Sequence, residues 1–180
     1  MAAFGGGSMI AALLLPRLLD FVPDRPAMLA GAALLPITLA ATALLTSYGA
    51  LILLWIATGL AYAVAQTPSG RLLRRSSNAE NRPALFAAHF AASHACWLLC
   101  YPLAGWLGSL IGLERTSLVL ASIAAAGVVA AITLWPAKDV SEVEHSHADL
   151  PPDHEHLRDH VKGRHRHVFV IDDLHPKWPG

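Results

Sequence analysis

The chain has 180 residues, of which 54% are hydrophobic and 14% are charged, and its formal net charge is zero. Soluble domains carry about 25% charged residues, so the composition argues against a soluble globular protein. The zero net charge gives no electrostatic reason to expect nucleic acid as a partner.

The chain begins with an apolar run over Met1–Leu15. A helix needs roughly 20 apolar residues to cross a bilayer core, so this run is short. We interpret it as a helix that lacks its beginning or that continues to Leu19. A signal peptide has positive charge before its apolar stretch, whereas the first basic residue here, Arg17, follows it.

Four longer apolar runs follow, and each is long enough to span a bilayer. They cover Ala27–Thr46, Tyr48 to about Thr67, Ala84 to about Leu110, and Thr116–Trp135. Residues 27–70 contain no Asp, Glu, Lys or Arg, whereas a surface helix of a soluble protein has a charged outer face. The sequence therefore predicts an all-α, polytopic membrane bundle of about five transmembrane helices over residues 1–137.

Basic residues are concentrated in alternate connections between the runs. Arg17 and Arg25 lie in the first connection, four arginines lie between Arg71 and Arg82, and Lys138 follows the last run. Positive residues mark the cytoplasmic side of a membrane protein. We therefore expect a plasma (inner) membrane protein with its N-terminus outside and its C-terminal tail in the cytoplasm.

The segment 16–25 resembles a loop signature of the major facilitator superfamily. In that signature a Gly and then an Asp are followed by basic residues around a second Gly. Asp20 and Arg25 fit it, whereas Pro16 and Pro23 stand at the glycine positions and Phe21 replaces a basic residue. The layout of residues 1–137 is similar to that of helices eight to twelve of such a transporter.

This resemblance implies transport of a small solute across the membrane. A full member has about twelve helices in two halves, whereas this chain supplies five. Besides the lipid bilayer, the resemblance therefore implies partners that are either the missing N-terminal transporter helices or another membrane subunit. In the family the eleventh helix helps to line the central cavity, and the run from Ala84 to about Leu110 occupies that position.

Two histidines lie inside the run from Ala84 to about Leu110, with His94 near its middle and His89 nearer one end. Intramembrane ionisable residues are functional candidates, and a histidine can carry a proton. We predict a substrate or proton pathway at His94, His89 and Ser93; the alternative is a neutral histidine bonded to a neighbouring helix. His89, Ser93, Cys96 and Cys100 share one helical face, which favours a small-residue packing seam over a water-filled path.

Residues 138–180 form a separate region, which we predict to be a disordered, histidine-rich cytoplasmic tail. Its candidate metal ligands are His145, His147, His154, His156 and His160. Imidazole and carboxylate groups together bind divalent transition metals, although the spacing matches no structural zinc motif. The alternative function is therefore a small membrane protein whose tail binds or senses divalent metal. The apolar patch Val168–Ile171 is expected to contact the helical body.

Enzyme activity is not expected from this sequence. It shows no nucleophile–base pair and no paired carboxylates. The segment Gly5–Ser8 lacks the lysine and the preceding strand of a phosphate-binding loop. We therefore expect no cofactor, apart from weak binding of a divalent metal to the tail.

Overall fold

The computed structural model describes residues 1–45, 47–137, 142–145, 165–168 and 171. These residues form six α-helices and two short β-strands. The helices are α1 Ala2–Leu18, α2 Asp24–Thr42, α3 Tyr48–Gln66, α4 Ser69–Arg75, α5 Arg82–Ile111 and α6 Leu113–Leu134. The strands, β1 Glu142–His145 and β2 His165–Val168, pair antiparallel with Glu142 opposite Val168.

All five predicted apolar runs are helical, which confirms the all-α membrane fold. Four spans are long and apolar enough to cross a bilayer: α2, α3 together with α4, α5, and α6. Helix α1 is apolar and shorter, with 17 residues. The short helix α4 follows α3 almost directly and was not predicted from the sequence.

The core lies where α3 packs against both α1 and α2. Helix α1 buries Gly7, Ala11 and Leu15, which recur at intervals of four residues on one helical face. Helix α3 contributes buried Gly59 and Ala61 to the same region. Since small side chains let helix backbones approach closely, this part of the bundle is held by contact between backbones.

Two glycines make the α1–α3 contact possible. A Cβ atom on Gly7 would lie 2.0 Å from the backbone oxygen of Ile56, and one on Gly59 would lie 2.0 Å from that of Phe4. The Ser8 hydroxyl donates a hydrogen bond to the Gly59 carbonyl at 3.0 Å. Any larger residue at either glycine would therefore force the two helices apart.

Helices α5 and α6 are joined through a single residue, Gly112. Its φ of 81° is a left-handed conformation that glycine adopts without steric cost. Helix α6 packs against α2, and α5 contacts α6 and, to a small extent, α4. None of the 30 residues of α5 is buried, so α5 stands at the edge of the bundle.

The described part of the tail contains the β1–β2 ladder of eight residues. Val143 and Val168 are β-branched, a residue type that favours strands. Ile171 belongs to the predicted apolar patch, and its N–H group donates to the Arg75 carbonyl at 3.0 Å. Contact between that patch and the helical body is therefore confirmed at Ile171.

Candidate functional site

Four ring side chains follow one another along α5. The ring centroids of Phe90 and His94 lie 3.7 Å apart, those of His94 and Trp97 4.8 Å, and those of Trp97 and Tyr101 6.4 Å. The residues recur at intervals of four, three and four, so they share one helical face. We call these four residues the α5 ring stripe.

His94 is held in one orientation by its own helix. Its Nδ1 atom lies 2.8 Å from the Phe90 carbonyl oxygen. Because a carbonyl can only accept a hydrogen bond, Nδ1 must carry a proton, and in the neutral ring Nε2 is then an acceptor. The Ser93 hydroxyl donates to the same Phe90 carbonyl at 2.9 Å and lies 3.4 Å from Nδ1.

The structure brings together two of the three predicted pathway residues. Ser93 and His94 meet at the Phe90 carbonyl. His89 is exposed and lies on the neighbouring face of α5 with Cys96, which is an exposed free cysteine. The substrate or proton pathway through these residues stays a prediction.

Of the two residues that fit the loop signature, Asp20 is exposed and precedes α2, and Arg25 lies in the first turn of α2. Arg25 donates from Nε and Nη2 to the Trp135 carbonyl at 3.2 Å and 3.1 Å, and from Nη2 to the Ile132 carbonyl at 3.4 Å. These carbonyls belong to the last turn of α6, where a cation interacts favourably with the helix dipole. Arg25 therefore ties the start of α2 to the end of α6.

Asp24 forms the ion pair of this region. It is 9% exposed, and its carboxylate accepts from Arg71 Nε at 2.9 Å and 3.2 Å and pairs with Arg71 Nη2. Sequence reasoning selected Asp20, which is exposed, and missed Asp24 and Arg71. The available signal was that Asp24 lies in the first connection, which the alternation of apolar runs predicts to be on the same side of the membrane as the arginine-rich connection.

A further contact joins the connection after α4 to the first residue of α5. Arg82 donates to the Ser77 hydroxyl at 3.3 Å and to the Ser77 carbonyl at 3.1 Å, and Ser77 is completely buried. Together with the Asp24 and Arg25 contacts, this places the first connection and the arginine-rich connection at one end of the bundle. We call this group of contacts the loop cluster. Which side of the membrane it faces stays a prediction.

Of the five predicted metal ligands, His145 is the one that lies among the described residues. His145 lies in β1, and His147, His154, His156 and His160 lie outside the described residues. Within the part of the chain that the structure describes, no group of three or more His, Cys, Asp or Glu residues could hold a metal ion. Metal binding by the tail therefore stays a prediction.

Comparison with known proteins identifies a family. A family model described as Major Facilitator Superfamily matches residues 1–170. The match extends beyond residue 137, where the resemblance noted from the sequence ended, and it includes the β1–β2 ladder. No curated protein and no solved structure matches the chain.

Proposed function

Because the chain belongs to the major facilitator superfamily, we propose that it forms the C-terminal part of a secondary transporter, equivalent to about helices eight to twelve. It moves a small solute across the plasma (inner) membrane. Residues 1–137 are the transmembrane region, and residues 138–180 are a cytoplasmic tail. Members of this family are membrane transporters and not enzymes.

The observation that carries the proposal is the unequal packing of the helices. Helix α5 is apolar and long enough to cross a bilayer, yet none of its residues is buried. Helices α1 and α2 each bury small residues, and both pack against α3, which also buries small residues. A two-halved transporter holds its solute between its halves, and an open, cavity-facing helix in one half suits that architecture.

The open face of α5 also indicates what this chain needs in order to work. Helices associate in a bilayer through close packing and interhelical hydrogen bonds, and α5 offers both small residues and hydrogen-bonding side chains. The N-terminal transporter helices, or another membrane subunit, would cover it. His94 lies among the open residues of α5 and would be the residue through which solute movement is coupled to protons.

The proposal is tested by capturing the partner and then measuring uptake. A benzophenone amino acid at Leu98, which is 74% exposed on α5, should cross-link in native membranes to a transmembrane helix outside residues 1–137. The same amino acid at Leu118, half-exposed on α6, reports how far cross-linking depends on exposure alone.

Uptake is then measured in proteoliposomes with a panel of labelled sugars, amino acids, organic acids and aromatic compounds. We expect saturable uptake of at least one solute when the chain is reconstituted with the captured partner, and none with the chain alone. Equal uptake in both preparations would contradict the need for a partner. Absence of uptake by the cross-linked assembly for every solute would contradict transport.

A further inference from the structure

The α5 ring stripe combines aromatic surface with one hydrogen-bond acceptor. Phe90 and Tyr101 are 62% and 70% exposed, so much of their ring surface is open. The stripe extends over 11 residue steps, or about 16 Å along the helix. Aromatic rings prefer offset-stacked or edge-to-face contact with other rings, so the stripe is a surface for a planar aromatic group.

The acceptor is Nε2 of His94. Since Nδ1 donates to the Phe90 carbonyl, the neutral ring presents Nε2 as a lone-pair acceptor. In the part of the chain that the structure describes, no hydrogen bond to Nε2 is found. An N–H or O–H group on a bound molecule would therefore complete the hydrogen bonding of this ring.

The position of the stripe limits the charge of its ligand. His94 lies 12 residues after Arg82, or about 18 Å from the start of α5, and residues 83–113 contain no Asp, Glu, Lys or Arg. No permanently charged side chain of α5 is therefore available at this depth. Recognition at the stripe rests on ring contact and one hydrogen bond.

A neighbouring helix would fit the adjacent face of α5 better than the ring stripe. Membrane helices associate through small residues, as Gly7 and Gly59 show in the α1–α3 contact. The adjacent face of α5 carries Ser93, Cys96 and Cys100, which are small. The large rings of the stripe would hold a second backbone away and leave room for a solute.

From these observations we infer that the ring stripe binds planar aromatic solutes that carry an N–H or O–H donor, with His94 Nε2 accepting that donor and Trp97 stacking on the ring. This inference rests on the proposed transport function and names the class of its substrate. His94 and Trp97 are then specificity-determining residues of the solute site.

The test compares indole with 1-methylindole, which has the same ring system and no N–H donor. The purified full chain in lipid nanodiscs is titrated with each compound, and binding is followed by saturation-transfer NMR with empty nanodiscs subtracted. We expect indole to bind about tenfold more tightly, which is the effect of one hydrogen bond.

Three variants identify the residues responsible. His94→Phe keeps a stacking ring and removes the acceptor, so it should remove the preference for indole, while Trp97→Leu should weaken both compounds. Leu99→Phe adds a ring on the opposite face of α5, where Leu99 is 72% exposed, and should leave both affinities unchanged. Thermal unfolding in the nanodisc confirms that each variant is folded.

Equal binding of the two compounds to the folded wild-type chain, or a preference for indole that survives His94→Phe, would overturn the inference. Binding of both compounds that is the same in the wild-type chain, Trp97→Leu and Leu99→Phe would indicate partitioning into lipid near α5 and would overturn it as well. Because binding is measured without transport, failure of the uptake experiment alone would contradict the proposed function and leave this result standing.

Discussion

Helix α5 and the block formed by α1, α2 and α3 are both apolar, yet α5 has no buried residue and the block has several. In the block, glycine and alanine bring helix backbones into contact, and buried residues recur along each helix. Helix α5 is longer than any of these three helices and has no buried residue. Helices α1, α2 and α3 bury residues within this chain, whereas α5 buries none.

This difference teaches that hydrophobicity alone does not determine which membrane helices associate. Lipid is as apolar as a leucine side chain, so contact between helices depends on shape and on hydrogen bonds. Small residues at regular intervals produce a seam in α1 and α3, while the rings of α5 are stacked on one another along the same helix. Predictions that alter one region and spare the other can test this contrast.

The largest effect is expected from adding a methyl group to the α1–α3 seam. In Gly7→Ala or Gly59→Ala, the new Cβ would lie 2.0 Å from a backbone oxygen of the facing helix. Backbone cannot move aside as a flexible side chain can, so the helices must separate. We expect the free energy of unfolding in detergent to fall by about 3 kcal/mol, at the upper end of the range for overpacking.

Gly6→Ala is the matched control, because a Cβ at Gly6 would meet nothing within 4 Å. Its stability should be unchanged or slightly raised, since alanine favours a helix more than glycine does. The double variant Gly7→Ala, Gly59→Ala should lose less than the sum of the single losses, because the first substitution already separates the helices. Additive losses would contradict a shared seam.

The second prediction concerns the loop cluster. Asp24→Asn should lower the free energy of unfolding by about 1–2 kcal/mol, because it removes a charge-assisted hydrogen bond to Arg71. The figure is at the lower part of the range for such bonds because the Arg71 side chain is 47% exposed and solvent weakens the pair. Arg71→Gln should cost a similar amount, as measured by thermal unfolding.

A double-mutant cycle decides whether the two residues act as a pair. The combined variant should cost about 1 kcal/mol less than the sum of the single changes. Asp20→Asn is the control, since Asp20 is exposed and forms no ion pair among the described residues. If Asp20→Asn destabilises the protein more than Asp24→Asn does, the assignment of the ion pair to Asp24 is wrong.

The fold was largely predictable because a membrane helix needs one simple property, a long run without charge. The run from Tyr48 was predicted to end at about Thr67 and ends at Gln66. The run predicted from Ala27 begins at Asp24 instead, because a carboxylate is favourable in the first turn of a helix and its partner Arg71 lies close by. Charge counting alone places such a residue in the loop.

The candidate site was predictable only in part. His94 could be selected because a histidine in an apolar run is conspicuous, but its contact with the Phe90 carbonyl depends on rotamers that no spacing specifies. The Asp24–Arg71 pair joins residues 47 positions apart, so it depends on how α2 and α4 meet in three dimensions. The family signature pointed to Asp20, whereas Asp24, four residues later, forms the ion pair because tertiary packing brings it to Arg71.

The third prediction is a smaller effect at the end of α6. Arg25→Ala removes the side-chain donors to the Trp135 and Ile132 carbonyls. We expect a loss of about 0.5–1 kcal/mol, which is typical for a cation at a helix C-terminus. Arg17→Ala is the control, because Arg17 is exposed and should have almost no effect. Equal losses in both variants would indicate a general effect of net charge.

The smallest effect is expected on α5, and it tests the contrast between the two regions directly. Leu98 is 74% exposed and Leu15 is 1% exposed. Leu15→Ala should lower the free energy of unfolding of the chain by about 2 kcal/mol, because it leaves a cavity in packed protein. Leu98→Ala should change it by less than about 0.3 kcal/mol, since lipid or detergent fills the space of the lost side chain.

The same Leu98→Ala variant also tests whether the proposed partner contacts α5. If the partner covers α5, the substitution should weaken the assembly while the isolated chain stays unaffected, as measured by co-purification in mild detergent. A loss of stability in the isolated chain would mean that α5 packs within this chain after all. The open face would then be filled by the chain itself, and the argument for a second half of the transporter would lose its structural basis.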